Sequence, residues 1–488
     1  MPRLFRLHTV PGRIRTLTAF AVVALLGLFA VTGVALLQAR AGLRAVGNDE
    51  GPAMDAGSNL YLALSDMDAQ VTNVLLTGRE NDWLCEPEQV GAQLTRPGGE
   101  TCDRAQPRVY YEIRREDASR AALQAAELAG DDLVQLGTVL NVLDGLHQYD
   151  QRVQAAMEIA RQTEHPVGVP PQAAVERYRA ATMLMTEDLL PKAYNLSLAH
   201  AARVNAIYQD RRAATVSGRT WVLGTGLLAV GLLAILQIYL AGRFKRVINP
   251  WLVVATVGTV ALTMTSASLL STEAKYLRTA KTGGFDPVLT LSRTRAFAKI
   301  LDADRNRYLI DPQDADRYDQ MYLDRAQTIL YIRGANSMDV YYTKLDQRFE
   351  HNDGDSRAVG FGGFYGAQTR AISAGGGRDL LGALLLDYRT YQANDRRVRA
   401  LARAGKRGAA AQAHIDPNPE LSDLPHPGFR EHDEGLAALI ARHRYVRDRA
   451  VFDGKRALAT WMWVLSGSIA IIAGLLVFGV RPRLNEFR

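Results

Sequence analysis

Side chains that could perform chemistry are few and scattered in this sequence. The densest group of histidines and acids is His426, His432 and Asp433, and their spacing does not place them on one helical face, so no metal site is predicted. The glycine clusters at 360–363 and 375–377 are not phosphate loops, because no strand precedes them and no Gly-Lys-Ser/Thr follows. We therefore expect no enzyme, no catalytic residue and no cofactor.

The chain has two cysteines, Cys85 and Cys102. An even number of cysteines in an oxidising compartment favours a disulfide. A Cys85–Cys102 bridge would contribute roughly 3 kcal/mol in the chain-entropy account. Two free thiols are the alternative, and thiol labelling of the unreduced protein distinguishes the two.

Four apolar runs without a charged residue determine the architecture: 17–37, 221–241, 251–271 and 460–480. About 20 such residues cross the ~30 Å hydrocarbon core of a membrane as a helix. We predict four transmembrane helices, with both termini and the short basic turn at 242–250 in the cytoplasm. A cleaved signal peptide is the alternative for the first run, but its apolar core is longer than the usual ~7–15 residues.

This topology divides the chain and predicts a multi-pass protein of the plasma membrane. The predicted segments are a cytoplasmic leader 1–16, TM1 17–37, extracytoplasmic bundle 1 38–220, TM2 221–241, a cytoplasmic turn 242–250, TM3 251–271, extracytoplasmic bundle 2 272–459, TM4 460–480 and a cytoplasmic tail 481–488.

An internal duplication relates the two halves. The offset that aligns 17–37 with 251–271 also places Asp68 on Asp302. Further along, 150–155 aligns with 395–400, and the end of the repeat aligns at Thr220 and Thr460. Each repeat is therefore predicted to consist of a membrane helix, an external domain and a returning membrane helix.

Apolar residues at alternating spacings of four and three predict that the external domains are four-helix bundles of an all-α protein. The first stripe runs from Ala53 to Val74 and the second from Val139 to Ala160. Four helices fit bundle 1, with Pro191 kinking or splitting the last. Bundle 2 repeats this plan, and its first helix ends at Asp311.

Two sets of residues are candidate docking sites for partners. The external set consists of aromatic residues in the long loops, for which ordinary flexible connectors are the alternative: Trp83, Phe361, Phe364 and Tyr365. The cytoplasmic set comes from the turn and the tail, for which a role in topology alone is the alternative: Arg243, Lys245, Arg246, Arg483, Leu484, Asn485, Glu486, Phe487 and Arg488.

The net charge of +7 does not indicate a nucleic-acid partner. The basic residues flank the membrane spans, and no basic run with interleaved aromatic residues occurs. The partners expected from the sequence alone are membrane lipid and proteins docked at the two ends. A homodimer is left open.

The architecture and the tail sequence Arg-Pro-Arg-Leu-Asn-Glu-Phe-Arg at 481–488 resemble the actinobacterial GlnX-type membrane proteins. That resemblance covers the whole chain by architecture and rests on the tail at the level of residues. It implies a relay from an extracellular glutamate- or aspartate-binding lipoprotein to protein kinase G, a soluble Ser/Thr kinase. The bundles also look like chemoreceptor sensor domains, which is a likeness of fold.

We therefore expect a non-enzymatic transmembrane signal relay that couples an external solute-binding protein or ligand to a cytoplasmic Ser/Thr kinase. One alternative is a mechanotransmitting, permease-like protein driven by a cytoplasmic ATPase, although the short central turn leaves little room for a coupling helix. Another alternative is a scaffold for envelope assembly.

Overall fold

The computed structural model describes residues 10–77, 107–244, 249–350, 362–371, 377–415 and 429–485. Within these ranges the chain is helical, and its only strand-like pairing is an isolated bridge between Tyr331 and Gly362. The prediction of an all-α protein is confirmed.

The described part of the first half contains six α-helices and two short π-helical segments. In chain order they are α1 Val10–Arg44, the π segment Ala45–Asp49, α2 Glu50–Thr77, α3 Pro107–Ala129, α4 Leu133–Gln162, α5 Gln172–Leu184, the π segment Met185–Leu189 and α6 Leu190–Phe244.

The second half contains one π segment and more numerous, shorter helices. They are α7 Pro250–Arg278, the π segment Thr279–Phe285, α8 Asp286–Ile310, α9 Ala315–Ile329, α10 Met338–Glu350, α11 Gly363–Ala371, α12 Gly377–Arg403, α13 Arg407–Ile415 and α14 Phe429–Asn485.

Helix boundaries follow from capping residues and proline. Asp132 caps α4, because its carboxylate accepts from the backbone N–H groups of Val134 and Gln135 at 3.1 Å each. Asp311 is the C-cap of α8, where the sequence predicts the end of that helix. Pro191 lies in the first turn of α6, directly after the π segment Met185–Leu189. A proline cannot donate to the carbonyl four residues earlier, and the π segment takes up this irregularity as the predicted kink or split.

Four helical runs among the described residues are long and apolar enough to cross a membrane: Gly12–Thr77, Gln172–Gly242, Pro250–Ile310 and Phe429–Arg481. Each contains one of the four predicted spans. These runs indicate a multi-pass membrane protein.

The chain forms two compact units. Unit 1 contains Met1–Asp49, Arg203–Lys281 and Val446–Arg488, and unit 2 contains Glu50–Ala202 and Thr282–Tyr445. Unit 2 thus combines segments from both predicted bundles, and unit 1 holds the four apolar runs.

Close helix contacts hold unit 1 together. A Cβ added at Gly226 of α6 would lie 2.3 Å from a methyl carbon of Thr263 of α7, so these backbones meet where only glycine fits. Gln237 of α6 donates to the Thr256 hydroxyl of α7 at 2.7 Å. Small and mildly polar residues therefore pack the two central spans, as their sequences predict.

Unit 2 has a core to which both repeats contribute. The two predicted stripes are buried, from Leu60 and Leu64 on α2 to Tyr149 and Val153 on α4. The same core continues into the second repeat through side chains of α8, α12 and α13: Ala296, Ile300, Leu309, Ile310, Val398, Ala410 and Ala411. Each fully buried Leu or Ile contributes roughly 1.5–3 kcal/mol, so the shared core binds the two repeats together.

Candidate functional site

Charged side chains are buried in unit 2 where α2 of the first repeat packs against α8 of the second. Asp68 on α2 forms an ion pair with Arg307 on α8, and each side chain is 1% exposed. Ionised groups so far from water require partners for every charge, and one partner removed leaves an uncompensated charge. This pair is the centre of the candidate site, which we call the inter-repeat network.

Two tyrosines complete the surroundings of Asp68. The hydroxyl of Tyr149 donates to Asp68 Oδ1 at 2.8 Å, and that of Tyr178 donates to the same oxygen at 3.1 Å. Burial, reinforced by the charge of Asp68, raises the pKa of Tyr149 well above its usual value. The phenol therefore stays a hydrogen-bond donor to the carboxylate at physiological pH.

Arg307 is bound on both of its sides. Its Nε donates to the hydroxyl of Tyr178 at 3.1 Å, and its Nη1 donates to Asp304 Oδ1 at 2.6 Å. The other oxygen of Asp304 pairs with Arg325 of α9. Burial alone would lower the pKa of Arg307, but the nearby Asp68, Tyr178 and Asp304 outweigh it and raise that pKa. The charge on Arg307 is thus fixed and shared among three elements.

A Tyr–Asp hydrogen bond occurs in both repeats, at aspartates that align in sequence. In the first, the Tyr111 hydroxyl donates to Asp150 Oδ1 at 2.5 Å. In the second, Tyr342 donates to Asp395, the residue that aligns with Asp150 in sequence. Arg399 also donates to Asp395 at 2.8 Å, whereas its sequence equivalent is an uncharged glutamine. The duplication is therefore visible in side-chain contacts as well as in the sequence.

Asn306 contacts its own sequence equivalent in the first repeat. It donates to the hydroxyl of Thr72 at 3.0 Å, and it lies 234 positions after that residue, the offset of the repeat. It also donates to Asn73 Oδ1 at 2.7 Å. A residue touches its own equivalent only near a two-fold axis, so α2 and α8 cross at an internal pseudo-two-fold axis.

A second inter-repeat pair lies at the end of α8. Arg179 of α5 binds the carboxylate of Asp311 through two parallel hydrogen bonds of 2.6 and 2.5 Å. Such bidentate pairs fix geometry as well as charge. Since Asp311 also caps α8, this contact anchors the end of that helix to the first repeat.

A carboxylate on α14 extends the network towards the returning helix. Arg295 binds Asp433 with hydrogen bonds of 2.7 and 2.8 Å, and Lys299 lies 3.5 Å from Asp433 and 3.6 Å from Asp66. Burial raises the pKa of Asp433, but the bond from Arg295 and the charge of Lys299 outweigh it and hold that pKa at about 2. Helices α2, α8 and α14 therefore share one set of charges.

Tyr365 is not a surface aromatic, and its prediction as an exposed docking residue is wrong. Its side chain is 0% exposed and its hydroxyl bonds to His432 of α14. The adjacent Phe364 is half-buried and stacks edge-on against Phe297 with ring centroids 5.6 Å apart. These rings are drawn inward because α11 forms within the glycine-rich segment: Gly363 has a φ of +70°, which permits the turn that starts the helix.

The remaining predicted external residues, Trp83, Cys85, Cys102 and Phe361, lie outside the described residues. The disulfide therefore stays a prediction.

The predicted cytoplasmic residues are partly described. Four of them lie in helices: Arg243, Arg483, Leu484 and Asn485. The others lie outside the described residues: Lys245, Arg246, Glu486, Phe487 and Arg488. Near both groups, the side-chain amide of Asn249 donates to the carbonyl of Gly479 at 2.8 Å. The end of the central turn therefore lies against the last part of α14, just before the tail.

The buried charges of the inter-repeat network were not predicted from the sequence. Asp68 and Asp302 served only to align the repeats. The available signal was the segment 302–307, in which every residue except Ala303 is charged or polar, in a helix that must also face a core. Charges spaced three apart, as in Asp304 and Arg307, can satisfy one another along one helix face.

The inter-repeat network joins helices of both repeats through ion pairs. Tyrosines with raised pKa values and arginines locked to carboxylates do not provide a nucleophile or a proton acceptor near neutral pH. Among the described residues, no group of three or more His, Cys, Asp or Glu side chains could hold a metal ion.

Comparison with known proteins finds one similarity, and it lies in the first repeat. Residues 42–209 match the family model of the actinobacterial sensor domain. The matched range carries Asp68, Tyr149 and Tyr178, the first repeat's share of the network. No curated protein and no solved structure matches the chain. The match supports an actinobacterial sensor protein with a role in sensing or signalling.

Proposed function

We propose that this protein is a non-enzymatic transmembrane relay. It couples an extracytoplasmic solute-binding lipoprotein or ligand, with glutamate or aspartate as the sensed solute, to a cytoplasmic Ser/Thr kinase. The observation that carries the proposal is that the matched sensor domain is built on helices that run on into apolar spans, as in Gly12–Thr77 and Gln172–Gly242. The sensor-domain match also suggests a non-catalytic role.

In this proposal both termini and the central turn face the cytoplasm, and unit 2 faces outward. An external partner changes how α2 and α8 pack across the inter-repeat network. Each of these helices follows a membrane span in the chain, so a small shift or rotation reaches the inner side. Exposed apolar side chains on the spans suit contact with membrane lipid, among them Phe20, Leu227, Ile238, Val257, Ile471 and Phe478.

The turn and the tail form the proposed inner docking face. The hydrogen bond between Asn249 and Gly479 supports this, because it brings the end of the turn to the helix that carries the tail. A partner bound there would contact both repeats at once. The basic residues of this face are Arg243, Lys245, Arg246, Arg483 and Arg488.

Crosslinking with mass spectrometry in native membranes tests the relay. The expected result is a solute-binding lipoprotein captured outside and a Ser/Thr kinase captured inside. Deletion of 484–488 is expected to remove the kinase and leave the lipoprotein. Capture of an ATPase, or of envelope-assembly enzymes, in place of the kinase would contradict the relay, and capture of the kinase by the shortened chain would contradict docking at the tail.

A further inference from the structure

Among the described residues, no carboxylate pairs with Arg293 of α8. The other three arginines of that helix each form an ion pair: Arg295, Arg305 and Arg307. Arg293 is half-buried, and its Nε and Nη2 are buried without a hydrogen-bond partner in the described part of the chain. Burial lowers its pKa, as expected for a cation that no acid neutralises. Such a charge costs free energy in the fold, so Arg293 is a candidate binding residue.

The two unbonded nitrogens form the edge of the guanidinium that binds carboxylates elsewhere in unit 2. Arg179 holds Asp311 through Nε and Nη2, and Arg295 holds Asp433 through the same two atoms. The N–H groups on this edge are parallel and match the two oxygens of a carboxylate. Arg293 therefore has the binding edge of these arginines without an acid of the described chain on it.

Four aromatic rings form a continuous surface beside Arg293. The guanidinium lies over the ring of Tyr194, 4.8 Å from its centroid, and Tyr194 meets Tyr61 edge-on with centroids 5.5 Å apart. The centroid of Tyr61 lies 6.4 Å from that of Phe297, which is 5.6 Å from that of Phe364 on α11. All but Tyr61 are half-buried, so solvent reaches this surface. A cation beside accessible rings suits a ligand with a carboxylate and an apolar carbon skeleton.

The equivalent position in the first repeat has an acid that the second repeat lacks. The offset of 234 positions aligns Arg293 with Asn59 of α2, and it aligns Leu289 with Asp55. On the side of α2, Arg444 of α14 donates to Asn59 Oδ1 at 3.4 Å and lies 3.7 Å from Asp55. On the side of α8, a leucine stands where α2 has this acid. The cation of one side is therefore neutralised within the chain, and that of the other side is not.

We propose that Arg293 binds the carboxylate of a small organic solute at this aromatic surface. The carboxylate accepts from Nε and Nη2, and the carbon skeleton of the solute packs against the rings. A rotation about the bonds of the flexible arginine stem brings this edge to the exposed part of the side chain. Because both nitrogens lie below the surface, a small solute fits them better than the face of a folded partner does. The site rests on the proposed function only in that the bound solute acts on the relay.

Isothermal titration calorimetry on the full chain in nanodiscs tests the site, with glutarate, L-glutamate and L-aspartate as probes. We expect saturable binding of at least one of the three. The controls are glutaramide, the neutral diamide of glutarate, which lacks the carboxylates, and inorganic phosphate, which lacks the carbon skeleton. Binding of none of the probes, or equally tight binding of either control, would overturn the proposal.

Substitution of Arg293 assigns the binding to its guanidinium edge. Lysine keeps the charge but cannot form two parallel hydrogen bonds, so Arg293→Lys is expected to raise the dissociation constant about 10- to 100-fold. Arg333→Lys, at an exposed position between α9 and α10, is the matched control and should leave the dissociation constant unchanged. Wild-type affinity in the Arg293→Lys variant would contradict the assignment.

Thermal unfolding separates a binding role of Arg293 from a packing role. Because no described carboxylate neutralises Arg293, the Arg293→Met variant should melt at or above the wild-type temperature when no solute is present. A probe that binds should raise the melting temperature of the wild type but not that of the variant. A variant that melts lower than the wild type without solute would show that Arg293 stabilises the packing, and would contradict the site.

Failure of the site and failure of the relay have different signatures, because these measurements contain no lipoprotein and no kinase. If the site is wrong, the solutes do not bind the purified chain, whereas crosslinks to the lipoprotein and the kinase persist in native membranes. If the relay is wrong, those crosslinks are missing, whereas the solutes still bind.

Discussion

Asp68 illustrates how a single carboxylate links the two repeats. It lies on the first repeat, its cation Arg307 lies on the second, and both are shielded from water. A buried pair of this kind is weak evidence for added stability. Removing one member is costly because the other keeps its charge.

Asp68→Asn tests this dependence at the level of one charge. The variant keeps a carbonyl that accepts a hydrogen bond from Tyr149, but the buried charge of Arg307 loses the carboxylate of Asp68. We therefore expect a loss of about 3–5 kcal/mol in the free energy of unfolding. Chemical denaturation of the detergent-solubilised chain measures it. Asp117→Asn removes a half-exposed carboxylate that pairs with Arg114 and Arg120 near the surface, and it should cost no more than about 1 kcal/mol. Equal losses in the two variants would contradict the buried role of Asp68.

The burial of His432 predicts that the stability of the folded state depends on pH. Burial lowers its pKa to about 4 from the usual 6.5, so the folded state holds it neutral. The stability it contributes is present above pH 6.5 and is lost as pH falls towards 4. The pKa of Asp433 is held at about 2. The stability that this carboxylate contributes is therefore lost at a lower pH than the range in which His432 acts.

His432→Gln separates this effect from other groups. Glutamine reaches the Tyr365 hydroxyl in place of Nε2 and does not titrate. We expect the wild-type melting temperature to fall more steeply than that of the variant between about pH 6.5 and pH 4.5. Parallel curves would show that His432 does not determine the slope.

Helix contacts in unit 2 depend on a few close approaches. A Cβ added at Gly57 of α2 would lie 3.2 Å from the backbone nitrogen of Ser197 on α6. At Gly137 of α4 an added Cβ would meet nothing within 4 Å. The same residue type therefore has a packing role at one site and none at the other.

Paired substitutions at these glycines test that distinction. Gly57→Val should lower the free energy of unfolding by about 1–3 kcal/mol, because the larger side chain forces α2 and α6 apart. Gly137→Ala should raise it by up to about 1 kcal/mol through better helix propensity. Thermal unfolding of both variants is the measurement. A neutral Gly57→Val would mean that the two helices can separate without cost.

The elements were largely predictable from local signals. The bounds of α3 and α4 follow from Pro107, the glycine at 130 and the cap at Asp132, and the apolar stripes identify the buried faces correctly. The π segments were not predictable, because they arise where backbone geometry adjusts to packing and no residue type encodes them. The nearest signal was Pro191, which predicts an irregularity but not its form.

For the whole molecule, the sequence predicts the all-α class and the four apolar runs from hydropathy alone. It also predicts the duplication, which recurs in the equivalent bonds of Asp150 and Asp395. Hydropathy does not reveal that unit 2 combines both repeats, since a charge that faces another helix looks like a charge that faces water. The predicted docking aromatics depend on loop conformation, which composition does not determine, and Tyr365 shows the consequence.

In the proposed relay, the two halves act on the cytoplasm through the turn and the tail together. Quantitative crosslinking mass spectrometry in native membranes tests it on the wild-type chain and on a variant with a flexible insert after Lys245. In the variant with the insert, we expect unchanged crosslinks within unit 2 and a marked loss of crosslinks from the tail to the cytoplasmic kinase. Kinase crosslinks that stay at the wild-type level would show that the turn is only a tether and would contradict joint action of the turn and the tail.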